Sequence, residues 1–517
     1  MAQNFLACDR DQPFLLPPSL CDWLPADHLA WFMIDAVARM DLSVFCRAYR
    51  DDGHGRAAYD PAMMVTLLLF AYATGQRSSR GIERHCRQDV AYRVITANVV
   101  PDHATIARFV VRHEAALAEL FSEALKLCGK AGLVQAGVIA IDGTRLAANA
   151  SPEANREYEQ LAKEIVAEAK ATDEAEDEEH GDARGDELPE QLQTSEGRRA
   201  FFEHAERDAD QPQVEASEMD GPDDEPAGRA GSEPPAARSN ARAGRRGWLR
   251  DGRQELEQER WSEAAPIPRS RPQRLAIGKQ RLQEEFDRDR RSNEAYEHYR
   301  ATARDKRGRR LSRPPDPWTP PALPEGKVNL TDPDSKQIKT NAGFGWVQGY
   351  NAQTVVGDDQ IVIAAEITNN TADFRQLLPM VTAAEVELEK AGITDTPAVA
   401  VADAGFWNEE QMDEVTANQH IPVLIPPDAG NRPTPRPGWT GGRYTWMRYV
   451  LASDPGQRIY KRRKQMIEPV FGHTKHNRGA RRFHRRGRTA VRTEWRLLMA
   501  THNLTKLHRH QIANAGA

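Results

Sequence analysis

The first part of the chain shows the apolar spacing of α-helices. Pro61 to Thr74 is almost entirely apolar and follows Asp60, a residue type that caps helix N-termini. Ser79 to Arg87 and Asp89 to Ile95 have the length and pattern of short helices. After a turn, a long amphipathic run begins behind Asp102, so residues 1–135 are predicted to form a helical domain.

Two short helices, a turn and a longer helix are also the layout of a helix-turn-helix unit. Arg108 and Arg112 lie near the start of the longer predicted helix, where such a unit contacts DNA. Many helical bundles share this layout, and simple packing is the alternative interpretation.

From Gly137 onward the pattern changes to alternating strands and helices. The β-branched segment GVIAIDGT predicts a short strand that ends in Asp142, and TPAVAVA predicts a buried strand that ends before Asp403. The other predicted elements are a hairpin of Gly349–Val356 with Gln360–Thr368, helices at Asp373–Lys390, Glu409–Asn418 and from Gln457, and a strand at His420–Ile425. This order predicts an α/β fold with a mixed sheet flanked by helices.

A long charged segment interrupts this pattern. Residues 157–171 and 273–306 have helical composition, whereas residues 172–268 hold too few apolar side chains for a core. Six of the eleven residues from Pro314 to Pro324 are proline, which favours an extended return. The predicted organisation is a helical N-terminal domain (1–135), a first core strand (136–152), an inserted charged arm with a disordered tip (153–327) and the rest of the core (328–510).

The net charge of −6 hides a strong local asymmetry. Arg458 to Arg509 contains sixteen Lys and Arg residues against two acids, while Asp173 to Glu190 contains ten acids and one Arg. A basic segment of this density indicates a polyanionic partner, most often nucleic acid, although a solvated basic face is the alternative.

Composition excludes several other classes of protein. The longest apolar run covers 11 residues, short of the roughly 20 that span a bilayer, and the N-terminus lacks the pattern of a signal peptide. Five scattered cysteines without a CxxC argue against a disulfide scaffold and a zinc ribbon. We therefore expect a cytoplasmic protein without membrane association.

The candidate chemistry lies in Asp142 and Asp403, which follow buried strands. A carboxylate at such a position is costly unless it is paired or binds a cation. With a third carboxylate from a later helix, the two would form an oxygen cage for Mg²⁺ or Mn²⁺, and two such ions about 3.5–4 Å apart support phosphoryl transfer. The basic region offers Glu468 and Glu494; Glu494 lies in an apolar packing stripe, so Glu468 is the better candidate.

Helical geometry adds support for Glu468. Lys475 follows it by seven residues, about two turns, and projects from nearly the same face. An ordinary ion pair is the alternative for a lone acid in a basic stripe. Pro469 means that either the helix kinks there or Glu468 caps a new helix.

These motifs resemble those of DDE transposases of bacterial insertion sequences, which have an RNase H-like catalytic core. YKRRKQMIEPVFGHTKHNRGARRF, from Tyr460 to Phe483, is similar to the family's Tyr-Arg-Glu-Lys signature. IDGTRLAANAS at Ile141 and VADAGFW at Val401 resemble the motifs of the first and second aspartates. The N-terminal helices resemble the domain that precedes the core in one branch of the family.

The resemblance implies Mg²⁺-dependent cleavage at element ends, followed by joining of the 3′-hydroxyl to target DNA. Asp142, Asp403 and Glu468 would be the catalytic residues and the ligands of Mg²⁺ or Mn²⁺, bound as two ions. The implied DNA contacts are Tyr460, Arg463, Lys464, Lys475, Arg481, Arg482, Arg485, Arg486 and Arg488, beside Arg108 and Arg112 of the N-terminal helices. The implied partners are double-stranded DNA, as terminal inverted repeats and target, and a second copy of the chain in the DNA complex.

Two alternatives remain from the sequence. One is an RNase H-like nuclease that cuts without joining, and the other is an inactive relative that only binds DNA. All three acids are present, which counts against the second. Zinc binding by His473, His476, His484 and His502 ranks below packing or DNA contact, and Trp346 and Trp407 are predicted to be core residues.

Overall fold

The computed structural model describes residues 19–49, 57–135, 137–180, 194–196, 199, 244–262, 267–268, 270–302, 304, 317–339, 345–428 and 438–515. The chain divides into two compact units. The sheet unit comprises Met1–Asn155, Arg260–Arg269 and Val328–Ala517, and the arm unit comprises Arg156–Glu259 and Ser270–Lys327.

The N-terminal helices of the sheet unit follow the predicted pattern closely. They are α1 (Leu29–Val37), α2 (Ser43–Cys46), α3 (Pro61–Ala73), α4 (Ser79–Gln88), α5 (Val90–Ile95), α6 (His103–Arg112) and α7 (Glu114–Lys130). Asp60 caps α3 by accepting a hydrogen bond from the Ala62 N–H at 3.0 Å, as predicted. Asp102 caps α6 in the same way through the Thr105 N–H at 2.9 Å.

The long amphipathic run predicted behind Asp102 is two helices rather than one. His113 breaks it with φ −108° and ψ 26°, outside the helical region. The His113 side chain is buried, lies 3.1 Å from the Tyr49 hydroxyl and packs against the ring of Phe109 at a centroid distance of 4.5 Å. These tertiary contacts outweigh the local helical preference.

The main sheet combines antiparallel and parallel strands; it contains the five predicted strands and one more, β4, that the sequence did not predict. The strands are β1 (Val138–Ala147), β2 (Asn155–Arg156), β3 (Val328–Asn329), β4 (Lys336–Lys339), β5 (Trp346–Val356), β6 (Val362–Thr368), β7 (Val399–Ala402) and β8 (Val423–Leu424). In the main sheet β1 is central: it is antiparallel to β5 and parallel to β7, which is parallel to β8. β5 pairs on its other edge with β4 and then, antiparallel, with β6. The chain has an α/β fold with an RNase H-like core and a helical N-terminal region.

β1 is longer than the sequence predicted. It does not end at Asp142 but continues to Ala147, because β5 goes on pairing with it as far as Ala147↔Gly349. Its parallel partner β7 stops earlier, at Ile141↔Ala402. Asp142 is therefore a mid-strand residue, placed where the parallel neighbour ends.

The remaining helices of the sheet unit pack around this sheet. They are α11 (Leu377–Lys390), α12 (Glu409–Asn418), α13 (Gly442–Ala452), α14 (Asp454–Gly472) and α15 (Arg488–Ala515), with a π-helical turn at His473–Asn477. Trp495 of α15 is fully buried, and its indole N–H donates to the Gln353 carbonyl of β5 at 3.1 Å. The Asn503 carboxamide forms two hydrogen bonds to Val362 of β6: its Oδ1 accepts from the N–H and its Nδ2 donates to the carbonyl, each at 2.8 Å.

α14 runs through Pro469, so of the two alternatives given for this position the one in which Glu468 caps a new helix is wrong. Proline cannot donate to the carbonyl four residues earlier, that of Gln465. The Gln360 side chain supplies the missing hydrogen bond to that carbonyl at 3.0 Å. A residue from the β5–β6 turn thus keeps the helix continuous where the sequence indicated a break.

The helices of the arm unit in the described part of the chain are α8 (Tyr158–His180), α9 (Arg245–Ser262) and α10 (Arg271–Thr302). Arg271 pairs with Glu164 at 2.8 Å and Glu168 at 2.7 Å. Residues 172–268 were predicted to have too few apolar side chains for a core, but Arg245–Glu259 is helical and packs on the next helix: Trp248 contacts Tyr296 at 5.9 Å and Arg253 pairs with Asp289 at 2.5 Å. Most of the predicted acidic tip, residues 181–243, lies outside the described residues.

No helix in the described part of the chain is both long enough and apolar enough to cross a membrane. Of the two tryptophans predicted to be core residues, Trp407 is buried and stacks on Tyr444 at 5.3 Å. Trp346 is 65% exposed, because it begins β5 and faces Lys339 on the edge strand β4.

His473, in the π-helical turn after α14, contacts His502 of α15. This contact predicts that the stability of the sheet unit depends on pH. The buried His502 donates from Nε2 to the Gln360 carbonyl at 3.0 Å, since a carbonyl only accepts, and its Nδ1 lies 3.3 Å from Nδ1 of His473. Burial lowers the pKa of His502 to about 3 and that of His473 to about 4, and nearby Arg478 adds to both shifts. A proton added to His502 at Nδ1 would face the N–H donor at Nδ1 of His473, so that neither histidine could accept a hydrogen bond from the other.

We therefore expect the sheet unit to lose stability as pH falls below about 6.5, where unfolded histidine takes up a proton that folded His502 does not. By pH 5 the loss from His502 is about 2 kcal/mol. Thermal melts of wild type and His502→Gln between pH 7.5 and 5 check this, with His510→Gln as the control. The variant should melt lower at pH 7.5 but show a flatter pH dependence; equal slopes in all three proteins would contradict the assignment.

Candidate active site

Asp142 and Asp403 lie side by side at one edge of the main sheet. The last paired residues of β1 and β7 are Ile141 and Ala402, so the two aspartates follow at the same level on neighbouring parallel strands, which are about 4.8 Å apart. Asp403 accepts a hydrogen bond from the Gly405 N–H at 2.8 Å. Asp142 accepts one from its neighbour, the Gly143 N–H, also at 2.8 Å.

A third carboxylate, Asp373, lies next to this pair and was missed by the sequence reasoning. It follows β6, which runs in the same direction as β1 because both are antiparallel to β5. A Cβ atom on Gly143 would lie 2.5 Å from Asp373 Oδ1, and one on Gly405 would lie 3.6 Å from Asp373 Oδ2. The glycines that follow the two aspartates thus leave room for Asp373. The sequence feature that could have identified Asp373 is its position in the loop that follows a strand running in the same direction as β1.

The electrostatics of the site reflect three acids in a partly buried space. Burial raises the pKa of Asp142 to about 7, Asp403 and Asp373 act in the same direction, and Arg463 opposes the rise. Burial also raises the pKa of Asp403, again with a contribution from Asp373. The site therefore has an excess of negative charge that a cation would relieve.

Arg463 of α14 supplies positive charge to this site. Its Nη1 donates to Asp142 Oδ2 at 2.8 Å, and its side chain is only 14% exposed. The Arg463 guanidinium also lies 6.0 Å from the ring centre of Tyr460, one turn earlier on the same helix. Burial raises the pKa of the Tyr460 hydroxyl, while Arg463 opposes the rise.

Lys475 and Arg145 form a second basic group near the aspartates. The Lys475 ammonium donates to the Arg145 carbonyl at 3.3 Å. Burial and the charge of Arg145 lower the pKa of Lys475, whereas Asp142 opposes the decrease. Arg145 lies three residues after Asp142 on β1, and the sequence reasoning did not single it out.

Glu468 does not join the aspartates in this structure. It lies on α14, as predicted, but five residues after Arg463, which is about 140° further round the helix. The buried face of α14 carries Met466, Ile467 and Val470, and Glu468 is exposed, with no hydrogen bond or ion pair to any described residue. Within the described ranges, no three Asp, Glu, His or Cys side chains already stand together in a group that could hold a metal ion.

The two carboxamides that bond to Asp373 nevertheless carry oxygens of the type that hard cations bind. Asn351 Oδ1 and Gln353 Oε1 are buried and accept no hydrogen bond within the described part of the chain. A buried acceptor without a partner costs about 1–3 kcal/mol. Carboxylate and amide oxygens are the ligands that Mg²⁺ and Mn²⁺ prefer, so these residues fit such an ion.

A basic loop, residues 478–487, is attached to the strand that carries Asp142. Its backbone pairs with Ala147 at the end of β1, where the Phe483 N–H donates to the Ala147 carbonyl at 2.8 Å. Arg482 and Arg486 reach back to the Ala148 and Asn149 carbonyls, each at 2.9 Å. The buried Glu494 holds the loop from beneath through the His484 and Arg485 N–H groups, which agrees with its predicted structural role.

The predicted DNA contacts differ in their accessibility. The exposed ones are Lys464, Arg481, Arg482, Arg486, Arg108 and Arg112. Arg485 is half-buried in an ion pair with Glu114 at 3.1 Å, and Arg112 bonds to the Ala48 carbonyl beside Tyr49. Arg488 is 4% exposed and its backbone N–H donates to Asp334 at 2.9 Å, so the prediction that it holds DNA is wrong.

Comparison with known proteins gives two family matches. Residues 18–112 match a transposase domain (DUF772), and residues 434–508 match a transposase DDE domain. The first covers the helices α1 to α6, and the second covers α13, α14, the basic loop and most of α15. No curated protein and no solved structure matches the chain. These two matches, one at the N-terminal helices and one at the C-terminal part of the chain, support a DDE transposase of an insertion sequence.

Proposed function

We propose that this transposase cleaves DNA at the ends of its element and then joins the freed 3′-hydroxyl to target DNA. The observation that carries the proposal is the pairing of Asp142 with Asp403 at the sheet edge, beside a basic loop bonded to the same strand. The strand therefore fixes the acids relative to the cationic surface that would hold the phosphodiester backbone.

Each residue has a distinct proposed role. Asp142, Asp403 and Glu468 would be the catalytic metal ligands, and bound Mg²⁺ or Mn²⁺, as two ions, would activate the attacking oxygen and stabilise the leaving one. Arg463, Tyr460 and Lys475 would orient the scissile phosphate. The exposed cations Lys464, Arg481, Arg482 and Arg486, with Arg485, would neutralise flanking phosphates, and Arg108 and Arg112 would contact DNA from the N-terminal helices.

Arg463 has two partners in this scheme. In the free chain it neutralises Asp142, and with DNA bound it would turn to a phosphate and release that carboxylate. Water in the first step and the 3′-hydroxyl in the second would act as nucleophiles, so no covalent protein–DNA intermediate is required. Because two element ends must be joined together, the DNA complex would contain a homodimer, located in the cytoplasm on the nucleoid.

A strand-joining assay tests the proposal. Precut duplexes of an element end are incubated with Mg²⁺ and a supercoiled plasmid, and the products are examined for linked duplex and plasmid. Joined product supports the proposal. Cleavage of uncut ends without joining would show the nuclease alternative, whereas binding without either reaction would show an inactive relative, an alternative favoured by the exposed position of Glu468.

A further inference from the structure

We infer that a cavity on the far side of the π-helical turn from the two aspartates binds a phosphate group. The cavity has a volume of about 350 Å³, within the size range of small-ligand sites, and lies between α14, the turn and α15. Among the residues that line it are His473, Asn477, Thr505, Lys506 and Arg509. None of the described residues that line it is Asp or Glu.

The cavity is distinct from the proposed active site. The π-helical turn also carries Lys475, whose ammonium donates to the Arg145 carbonyl of β1. His473 lies two residues before Lys475, and side chains two residues apart in a helical turn point in roughly opposite directions. His473 accordingly contacts His502 of α15 rather than β1. The turn thus presents Lys475 to the sheet edge and His473 to the cavity.

Hydrogen-bond donors with unused N–H groups face the cavity. His502, Lys506 and Arg509 follow one another at helical spacing, which places them on one face of α15. The Lys506 ammonium donates to Gln360 Oε1 at 3.2 Å, and its other N–H groups remain unused. The side chains of Arg509 and Asn477 are exposed and form no hydrogen bond or ion pair with a described residue.

A buried arginine adds positive charge from behind the cavity. Arg478 is 4% exposed and donates to neutral groups, the carbonyls of Leu498 and Thr501 and the hydroxyls of Thr501 and Thr505, at 2.8 to 3.0 Å. It forms no ion pair with a described carboxylate. Because Thr505 lines the cavity, only this side chain separates the guanidinium from it. A buried charge without a counter-ion is costly, and an anion in the cavity would offset that cost.

The cations around the cavity repel one another. Burial lowers the pKa of Arg478 to about 9, and the charge of Arg509 adds to this shift. Burial and then Arg509 also lower the pKa of Lys506, whereas the exposed Asp359 opposes the decrease. Asp359 forms no ion pair with a described cation, so the excess of positive charge is not neutralised locally. A phosphate group, with its negative charge and several acceptor oxygens, matches this set of cations and N–H donors.

The test measures how fast diethyl pyrocarbonate labels His473 in the full chain at neutral pH, read by mass spectrometry. Nδ1 of His473 contacts His502, whereas Nε2 has no hydrogen-bond partner among the described residues and is open to the reagent. Inorganic phosphate is added in one series and a short DNA duplex of unrelated sequence in another, against sodium chloride at matched ionic strength. We expect at least one of the two to slow the labelling of His473 severalfold, while phosphate leaves the exposed His420 unchanged.

A double variant then tests whether the cavity itself binds. Lys506→Gln with Arg509→Gln should raise the concentration for half-protection of His473 at least about tenfold, the effect of losing one charge-assisted hydrogen bond. Arg80→Gln with Arg84→Gln, at two exposed cations one turn apart on α4, is the matched control and should be protected by phosphate as wild type is.

The two series distinguish the sources of the phosphate group. Protection by inorganic phosphate alone assigns a free phosphate, and protection by the duplex assigns a phosphate of the DNA backbone; either result supports the inference. Wild-type labelling of His473 that neither probe slows, or equal half-protection in wild type and the cavity variant, would overturn it. Neither measurement requires DNA cleavage, so the proposed function is judged separately by strand joining.

Discussion

Replacing Asp142 by Asn is expected to abolish metal-dependent DNA cleavage while leaving DNA affinity largely intact. The change keeps the shape of the side chain and the oxygen that accepts from Gly143, but it removes the charge that would hold the cation. Metal ions contribute several kcal/mol of transition-state stabilisation, and about 4 kcal/mol corresponds to a rate reduction of about a thousandfold. Cleavage of labelled element-end duplexes and fluorescence anisotropy of the same duplexes measure the two effects.

The DNA affinity of this variant should not decrease, because Asp142→Asn also releases Arg463 from its ion pair. Asp395→Asn, with the same chemical change at an exposed site, should cleave as wild type does. If Asp142→Asn lost cleavage and DNA binding to the same degree, Asp142 would have a role in folding instead.

Replacing Arg496 by Leu is expected to destabilise the sheet unit by about 3–5 kcal/mol, the usual effect of breaking a buried ion pair from one side. Arg496 is fully buried between the N-terminal helices and the core. It donates to the Ala118 carbonyl and to Glu387, each at 2.9 Å, and lies over the ring of Phe121 at 4.8 Å. Without it, Glu387 is left as a buried charge without its main partner.

Urea unfolding followed by the near-ultraviolet circular dichroism of the buried aromatic side chains, among them Trp495, measures this effect. Arg509→Leu, at an exposed arginine on the same helix, should change stability by less than about 0.5 kcal/mol. Adding Glu387→Gln to Arg496→Leu should restore part of the loss, because the second change removes the uncompensated charge. A loss below 1 kcal/mol for Arg496→Leu, or no restoration in the double variant, would contradict the role of the pair.

Local pattern was sufficient for most of the elements. The helix Glu409–Asn418 and the β5–β6 hairpin could be predicted because the spacing of apolar residues reflects which face is buried. Caps such as Asp60 act within three residues, so they too are visible in the sequence. The sequence also predicted that Asp142 and Asp403 follow buried strands, and the structure shows that these two strands are parallel neighbours.

Contacts between distant segments decided the rest. His113 breaks a helical run because it meets Tyr49, and Gln360 keeps α14 continuous across Pro469. Arg488 is buried and bonds to Asp334, although Arg486 and Thr489 close to it in sequence are exposed. Such outcomes depend on partners more than 60 residues away, which no local spacing encodes.

By itself, the sequence determined the order of strands and helices, the basic C-terminal segment and the two aspartates of the sheet edge. Only the tertiary structure decided which acid stands beside them. Asp373 lies next to the two aspartates because β6 runs in the same direction as β1 and because Asn351 and Gln353 bond to its carboxylate. Glu468, by contrast, lies on the exposed face of α14. The direction of a side chain follows from the register and packing of the whole sheet, and these are set by contacts that sequence order does not specify.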